Sequence, residues 1–231
     1  MASALIVYGT RFGATAGTSE EIAKVLRDEG FDVRLVNAKE EKVGDIAGYE
    51  LVIVGSGILI NKWASEPEDF LRRFQGELAG KKVALFVSCG SASQSPAGKP
   101  EAVAEARTKY LEDKAAQYNL RPVALGFFGG VYDYNNKPWW AGMFMEAGRK
   151  EIMASGAKET KPGFYDTRDW DAIRSWAREL AQKLAPHNRF DAPPRGAHPP
   201  LRSTNGLLNW CEGKDLNPRK PELRDLSPET A

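Results

Sequence analysis

The sequence predicts an open α/β fold: a five-stranded parallel sheet with helices on both faces, followed by a Pro-rich C-terminal tail. Three observations carry this expectation. Strand-like apolar runs alternate with helical patterns along residues 1–185, as they do when parallel strands are joined by crossover helices. Leu51-Val52-Ile53-Val54 and Val83-Ala84-Leu85-Phe86-Val87 are apolar without alternation, the pattern of central strands covered on both faces. Three strands empty into loops rich in small residues, at 10–19, 55–63 and 88–91. In such sheets a ligand lies beyond the carboxyl ends of the strands, where the winding order reverses, so the three loops converge on one crevice.

Taken in order, Ala4 to Tyr8 forms the first strand. Thr18 and Glu21 have the spacing of a capping box, which predicts a helix beginning near Glu20 and stopping near Gly30. Phe31 to Val36 alternates with period two, as an edge strand does. After the 51–54 strand, Pro67 suits the first turn of a short helix through Phe70, Leu71 and Phe74. The strand ending at Val87 leads to a helix from about Glu101 to Gln117, a strand through Val123 to Phe127, and a turn at Gly129-Gly130. Trp170, Ile173, Trp176, Ala177, Leu180 and Leu184 fall on one helical stripe, which is core packing. Eight of the 14 prolines lie beyond residue 185 with few periodic apolar residues, so 1–185 reads as one domain and 186–231 as an extended or disordered tail.

Composition excludes several chemistries. A net charge of +1 imposes neither a nucleic-acid-binding face nor an acidic carrier surface. Both histidines, His187 and His198, fall in the tail, so the domain has no histidine base, His-centred triad or His-based metal site. The two cysteines, Cys89 and Cys211, lie far apart and suggest no disulfide framework. The first strand starts without a basic, apolar leader, and no apolar run reaches the ~20 residues of a membrane span. A cytoplasmic protein is expected.

Thr10-Arg11-Phe12-Gly13-Ala14-Thr15-Ala16-Gly17-Thr18-Ser19 joins the first strand to the first helix. Backbone amides in such a loop and the positive end of the following helix can face a phosphate, with hydroxyls donating to its oxygens. An ordinary turn of small polar residues has the same composition. The loop lacks a nucleoside-triphosphate lysine and the dinucleotide glycine spacing, so a phosphate bound here is expected to be a monoester.

These residues carry a resemblance. Thr10 to Thr15 is similar to the phosphate loop of flavodoxins, and Val54-Gly55-Ser56-Gly57-Ile58 through Lys62-Trp63 is similar to their second flavin loop. The Thr10-Arg11 pair, the Gly129-Gly130 turn before an aromatic helix, and Asp166-Thr167-Arg168-Asp169-Trp170 resemble the menaquinone-dependent protoporphyrinogen oxidases, a flavodoxin-fold group. The resemblance implies strand order 2-1-3-4-5 and a flavin mononucleotide (FMN) site. Its expected residues are Thr10, Arg11, Phe12, Gly13, Ala14, Thr15, Gly17, Thr18, Ser56, Gly57, Ile58, Lys62, Trp63, Ser88, Cys89 and Gly90. Four residues, Ala16 to Ser19, separate the loop from its expected helix, so two phosphate registers are open: the Thr10–Thr15 nest, or the amides of Gly17, Thr18 and Ser19.

The flavin would carry the chemistry while the protein supplies position and charge. Trp63 either stacks on the ring or packs beneath a loop, and Cys89 either lines the ring's pyrimidine end or is a small core residue. Arg11 and Lys62 bring positive charge. Tyr132, Tyr134, Trp139, Trp140, Met143 and Phe144, between Tyr132 and Met153, either receive a flat apolar substrate or a membrane surface, or pack a helix on the sheet. Two functions follow: an oxidoreductase passing electrons from an organic substrate to a quinone or other acceptor, or an electron carrier between protein partners. Near-neutral charge and the extra aromatic segment favour the enzyme.

Overall fold

The computed structural model describes residues 2–90, 100–133, 135 and 157–184. Five parallel strands form the central sheet: β1 (Ser3–Gly9), β2 (Asp32–Asn37), β3 (Leu51–Leu59), β5 (Lys82–Ser88) and β6 (Ala124–Phe128), with β4 (Lys62–Trp63) an antiparallel spur on β3. The spatial order is β2-β1-β3-β5-β6, the expected doubly wound order. In-register pairing aligns the carboxyl ends: Gly9 pairs with Ser56, Gly57 with Ser88, and Ser88 with Phe128.

Alternation along each strand divides the core between two faces. Leu5, Val7, Val52, Val54, Val83, Leu85 and Val87 point to one, covered by Phe70 and Leu71 of α2 (Ser65–Arg73), Leu78 of α3 (Gln75–Leu78) and by Tyr110, Leu111 and Ala115. Ile6, Ile53, Ala84 and Phe86 point to the other, covered by Ile22 and Leu26 of α1 (Ala14–Asp28) and by Ile173, Ala177 and Leu180 of α6 (Trp170–Leu184). Full burial of each large side chain is worth roughly 1.5–3 kcal/mol. Asp169 starts α6 by accepting the amides of Asp171 and Ala172 at 3.0 Å. On the second face Phe86 is flanked by Gly55 and Gly126 in register. A Cβ at Gly55 would lie 2.1 Å from the Phe86 ring, so Gly55 leaves the slot for this side chain, and one at Gly126 would lie 2.6 Å from the Phe128 ring and 2.9 Å from Phe86 Cβ.

Three features differ from expectation. The helix over 101–117 is α4 (Pro100–Arg107) and α5 (Asp113–Gln117) joined by a π-helical segment, Thr108–Glu112, in which Asp113 N–H donates to Thr108 O. The short helix expected through Phe74 ends at Arg73, and the chain goes straight on into α3, which the sequence reading did not expect. A second sheet, absent from the sequence reading, joins β7 (Val131–Asp133), β9 (Phe164–Asp166) and β8 (Lys158–Lys161) in antiparallel order β7-β9-β8. Tyr165, 1% exposed, is its core. Thr167 ties this sheet to the end of β6: its N–H and its hydroxyl both donate to Gly130 O, at 3.0 and 2.9 Å. Most of the aromatic 132–153 segment and the 186–231 tail lie outside the described residues.

Candidate functional site

The β1–α1 connection is four residues long. Thr10 Oγ1 accepts the Gly13 amide at 2.9 Å, closing a turn over Arg11 and Phe12. Gly13 has φ +83°, and a Cβ there would meet nothing within 4 Å, so glycine answers a backbone requirement and not crowding. The helix begins at once: the Gly17 amide donates to Gly13 O at 3.2 Å, and the amides of Ala14, Thr15 and Ala16 precede the first intrahelical bond. Those donors and the positive end of a 15-residue helix lie at the carboxyl end of the sheet, suited to an anion.

The expected capping box is therefore corrected. Ala16, Gly17, Thr18 and Ser19 belong to the first two turns of α1, with Thr18 and Ser19 fully buried and Ser19 Oγ donating to Thr15 O at 2.8 Å. The small residue at 17 has a packing cause. A Cβ there would lie 2.7 Å from Arg168 Nη1, which donates to Ala14 O at 3.1 Å. The same guanidinium is bound to both carboxylate oxygens of Asp166, at 2.9 and 2.7 Å, and lies 4.2 Å over the Trp170 ring. Burial pushes the Asp166 carboxyl up, but the hydrogen bonds from Arg168 outweigh it and hold the group below its ordinary value. The Gly17 amide is used inside the helix, and Thr18 and Ser19 follow it within the same helix, whereas the amides of Ala14, Thr15 and Ala16 precede the first intrahelical bond.

The second loop touches the first. A Cβ on Gly57 would lie 3.1 Å from Thr15 Oγ1 and 3.7 Å from the Arg11 amide. Ser56, fully buried, spends its hydroxyl locally, accepting the Ala64 amide at 2.9 Å and bonding Gly57 O at 3.1 Å. Ile58 pairs with Trp63 and Leu59 with Lys62, leaving Ile60 and Asn61 as a two-residue turn with φ +49° and +59°. Both signs are those of a type I′ hairpin, strained for a β-branched residue. Lys62 is exposed. Trp63 is 4% exposed and its indole N–H donates to Tyr110 O at 2.9 Å, so of its two readings the structure takes packing.

On the third loop the Cys89 amide donates to Phe128 O at 3.0 Å, and the side chain is buried in the α2 to α5 core, which takes this amide and thiol away from any ring-facing role. Ser88 is also buried, and among the described residues its hydroxyl has no hydrogen-bond partner. A Cβ on Gly90 would lie 1.8 Å from the Tyr132 hydroxyl, so β7 of the second sheet presses directly on this loop. The exposed large apolar side chains among the described residues are Phe12, Leu59 and Ile60, all on the first two loops.

A flavodoxin domain family model matches residues 5–161 of the chain. The chain belongs to the flavodoxin family. The flavodoxin of Maridesulfovibrio salexigens is 32% identical over 95 residues, 39% of this chain and 64% of that protein. That of Clostridium beijerinckii is 32% identical over 87 residues, 37% of this chain and 63% of that protein. The chain thus spans just under two thirds of the length of these curated relatives. A Fusobacterium nucleatum flavodoxin solved bound to flavin mononucleotide is 15% identical, with a TM-score of 0.44, covering 79% of this chain and 99% of that one.

Within this flavodoxin-family domain the sequence reading passed over Asn61 and named Tyr132 only as one of the aromatic cluster, without its seat on Gly90. Asn61 carried a signal, since asparagine between two strand-like residues suits φ > 0. Arg168 was noted only for resemblance; its partner at Gly17 is distant in sequence. No described helix is long and apolar enough to cross a membrane.

Proposed function

We propose that this domain binds one FMN and works as a redox protein. The observation that carries it is the Thr10–Gly13 turn feeding free amides at the start of α1, in contact with the Gly57 loop. Two further features fit the group: the Ser88 hydroxyl, buried without a partner at the same end of the sheet, and the apolar rim of Phe12, Leu59 and Ile60. When bound, FMN supplies reversible transfer of one or two electrons. The chain's own part is to hold a phosphate on the amides of Ala14, Thr15 and Ala16 and to place Arg11 and Lys62 as nearby cations. Packing Gly57 and Thr15 together removes side chains that would block the crevice.

Between the two functional classes, we favour an oxidoreductase that passes electrons from an organic substrate to a quinone or other acceptor, in the manner of the menaquinone-dependent protoporphyrinogen oxidases. What supports it is the second sheet: Tyr132 on β7 rests on Gly90, so an addition that a simple carrier does not need is built onto the third loop. The second reading, an electron carrier between protein partners, is favoured by the family membership itself. A peripheral membrane contact through 132–153 belongs with the quinone reading.

The experiment has two stages. Purified protein is expected to be yellow, with one non-covalent FMN per chain, and a cofactor-free preparation should quench FMN fluorescence on titration; no quenching rejects the flavin reading. Anaerobic reoxidation of the reduced protein by a soluble quinone, with protoporphyrinogen turnover, is expected for the enzyme. Failure of both alongside rapid transfer to a protein acceptor selects the carrier.

A further inference from the structure

Tyr110 holds the β3–β4 turn from outside the sheet by two hydrogen bonds. Tyr110 lies in the π-helical segment between α4 and α5, 5% exposed. Its hydroxyl donates to Asn61 Oδ1 at 2.6 Å, and its backbone carbonyl accepts the Trp63 indole N–H at 2.9 Å. The two contacts grip the turn at Asn61 and its β4 arm at Trp63, two residues apart. They hold a conformation that does not hold itself: Ile60 and Asn61 both have positive φ, and the Ile60 side chain is 73% exposed, so no packing of its own offsets the strain. A π-helical segment widens the helix and displaces the residues beyond it, and such segments recur at functional sites. Here the widened stretch is the one that carries Tyr110. The same residue shares the core cluster of Cys89 on the third loop, so the clamp stands on the wall between two of the three loops.

We infer that Tyr110 is a positioning residue, which through Asn61 fixes the conformation of the 58–63 turn and thereby the affinity and reduction potential of the flavin. This rests on the FMN reading for its second half only. The substitution that isolates the hydroxyl is Tyr110→Phe, which keeps the ring and the carbonyl that holds Trp63. In the cofactor-free protein, amide hydrogen exchange across residues 58–63 should rise about fivefold, the effect of losing one hydrogen bond of ordinary strength. The urea midpoint of global unfolding should move little. With FMN present, the dissociation constant should rise by a similar factor and the flavin midpoint potential should shift, which a merely structural contact would not produce. Asn61→Gly, which keeps the left-handed turn and removes the acceptor, should give the same changes, and the double variant should add nothing. Unchanged exchange in Tyr110→Phe, or additive effects in the double variant, overturns the clamp. Altered exchange with an unmoved affinity and potential overturns its flavin role. Absence of FMN binding in the unsubstituted protein strikes the functional reading instead, and leaves the exchange result to judge the clamp.

Discussion

At Gly13 the backbone sits at φ +83°, where an L-residue costs about 1–2 kcal/mol, yet the space around it is open. Gly13→Val is therefore expected to lower stability by about that amount and to weaken FMN binding by tenfold or more, because the helix start shifts; urea unfolding and fluorescence titration check both. Gly17 is the opposite case. An added methyl meets Arg168, whose guanidinium is held by Asp166 and Trp170 and cannot swing away freely. Losing its charged bond to Ala14 O costs ~1.5–3 kcal/mol, against ~1 kcal/mol gained in helix propensity. Gly17→Ala should thus destabilise by about 1 kcal/mol and leave FMN affinity within about twofold. Equal losses of affinity at 13 and 17 would point to the second phosphate register. For Asp166 the folded pKa lies below the unfolded value, near ~3.9. The stabilisation is then complete above that value and is lost as pH falls through the folded pKa. Asp166→Asn should lower stability at neutral pH and flatten the pH dependence of unfolding below about pH 4, measured by urea titrations across that range.

Among the elements, those that bury a continuous stripe were the legible ones. β1, β3 and β5 announce themselves because both faces are covered, and α6 because Ile173, Ala177 and Leu180 recur on one side. For the same reason Leu180→Ala should cost ~2–5 kcal/mol while Arg178→Ala, exposed on the other side, stays within ~0.5 kcal/mol, by thermal or urea unfolding. The start of α1 was illegible because glycine, threonine and serine in a row read locally as a cap, and only the distant Arg168 and the buried second turn explain them as helix. The small sheet was illegible for another reason: its strands are three or four residues long, and β7 is separated from its partner β9 by 30 residues of chain. The π-helical segment gives no pattern of its own. At the site, the phosphate turn and the Gly57 loop could be read from the small residues themselves. The clamp on Asn61, the seat of Tyr132 on Gly90 and the packed state of Trp63 are contacts between segments, which no local pattern encodes.

At the scale of the molecule, one covered sheet presents its three loops at a single end, and a ligand bound there is bound by the folded state alone. FMN at 100 times its dissociation constant should raise the unfolding free energy by ~2.7 kcal/mol, read as a concentration-dependent rise in melting temperature. A melting temperature indifferent to FMN would exclude its binding to the folded state. A chain ended at residue 185 is the matching test of the two-part organisation, and should keep both the transition and the FMN response. The trio of Gly55, Phe86 and Gly126 reaches beyond any one molecule. The Phe86 ring fills the volume that a side chain at 55 would take, and Phe86 Cβ together with the Phe128 ring fills that of a side chain at 126, so none of these positions is free to drift alone. In the lineage of this protein Gly55 and Phe86 should be inherited as a linked pair: where a descendant or cousin carries a smaller residue at 86, position 55 gains the freedom to grow, whereas Gly126 answers also to the Phe128 ring, 2.6 Å from a Cβ there, and should persist as long as that ring does.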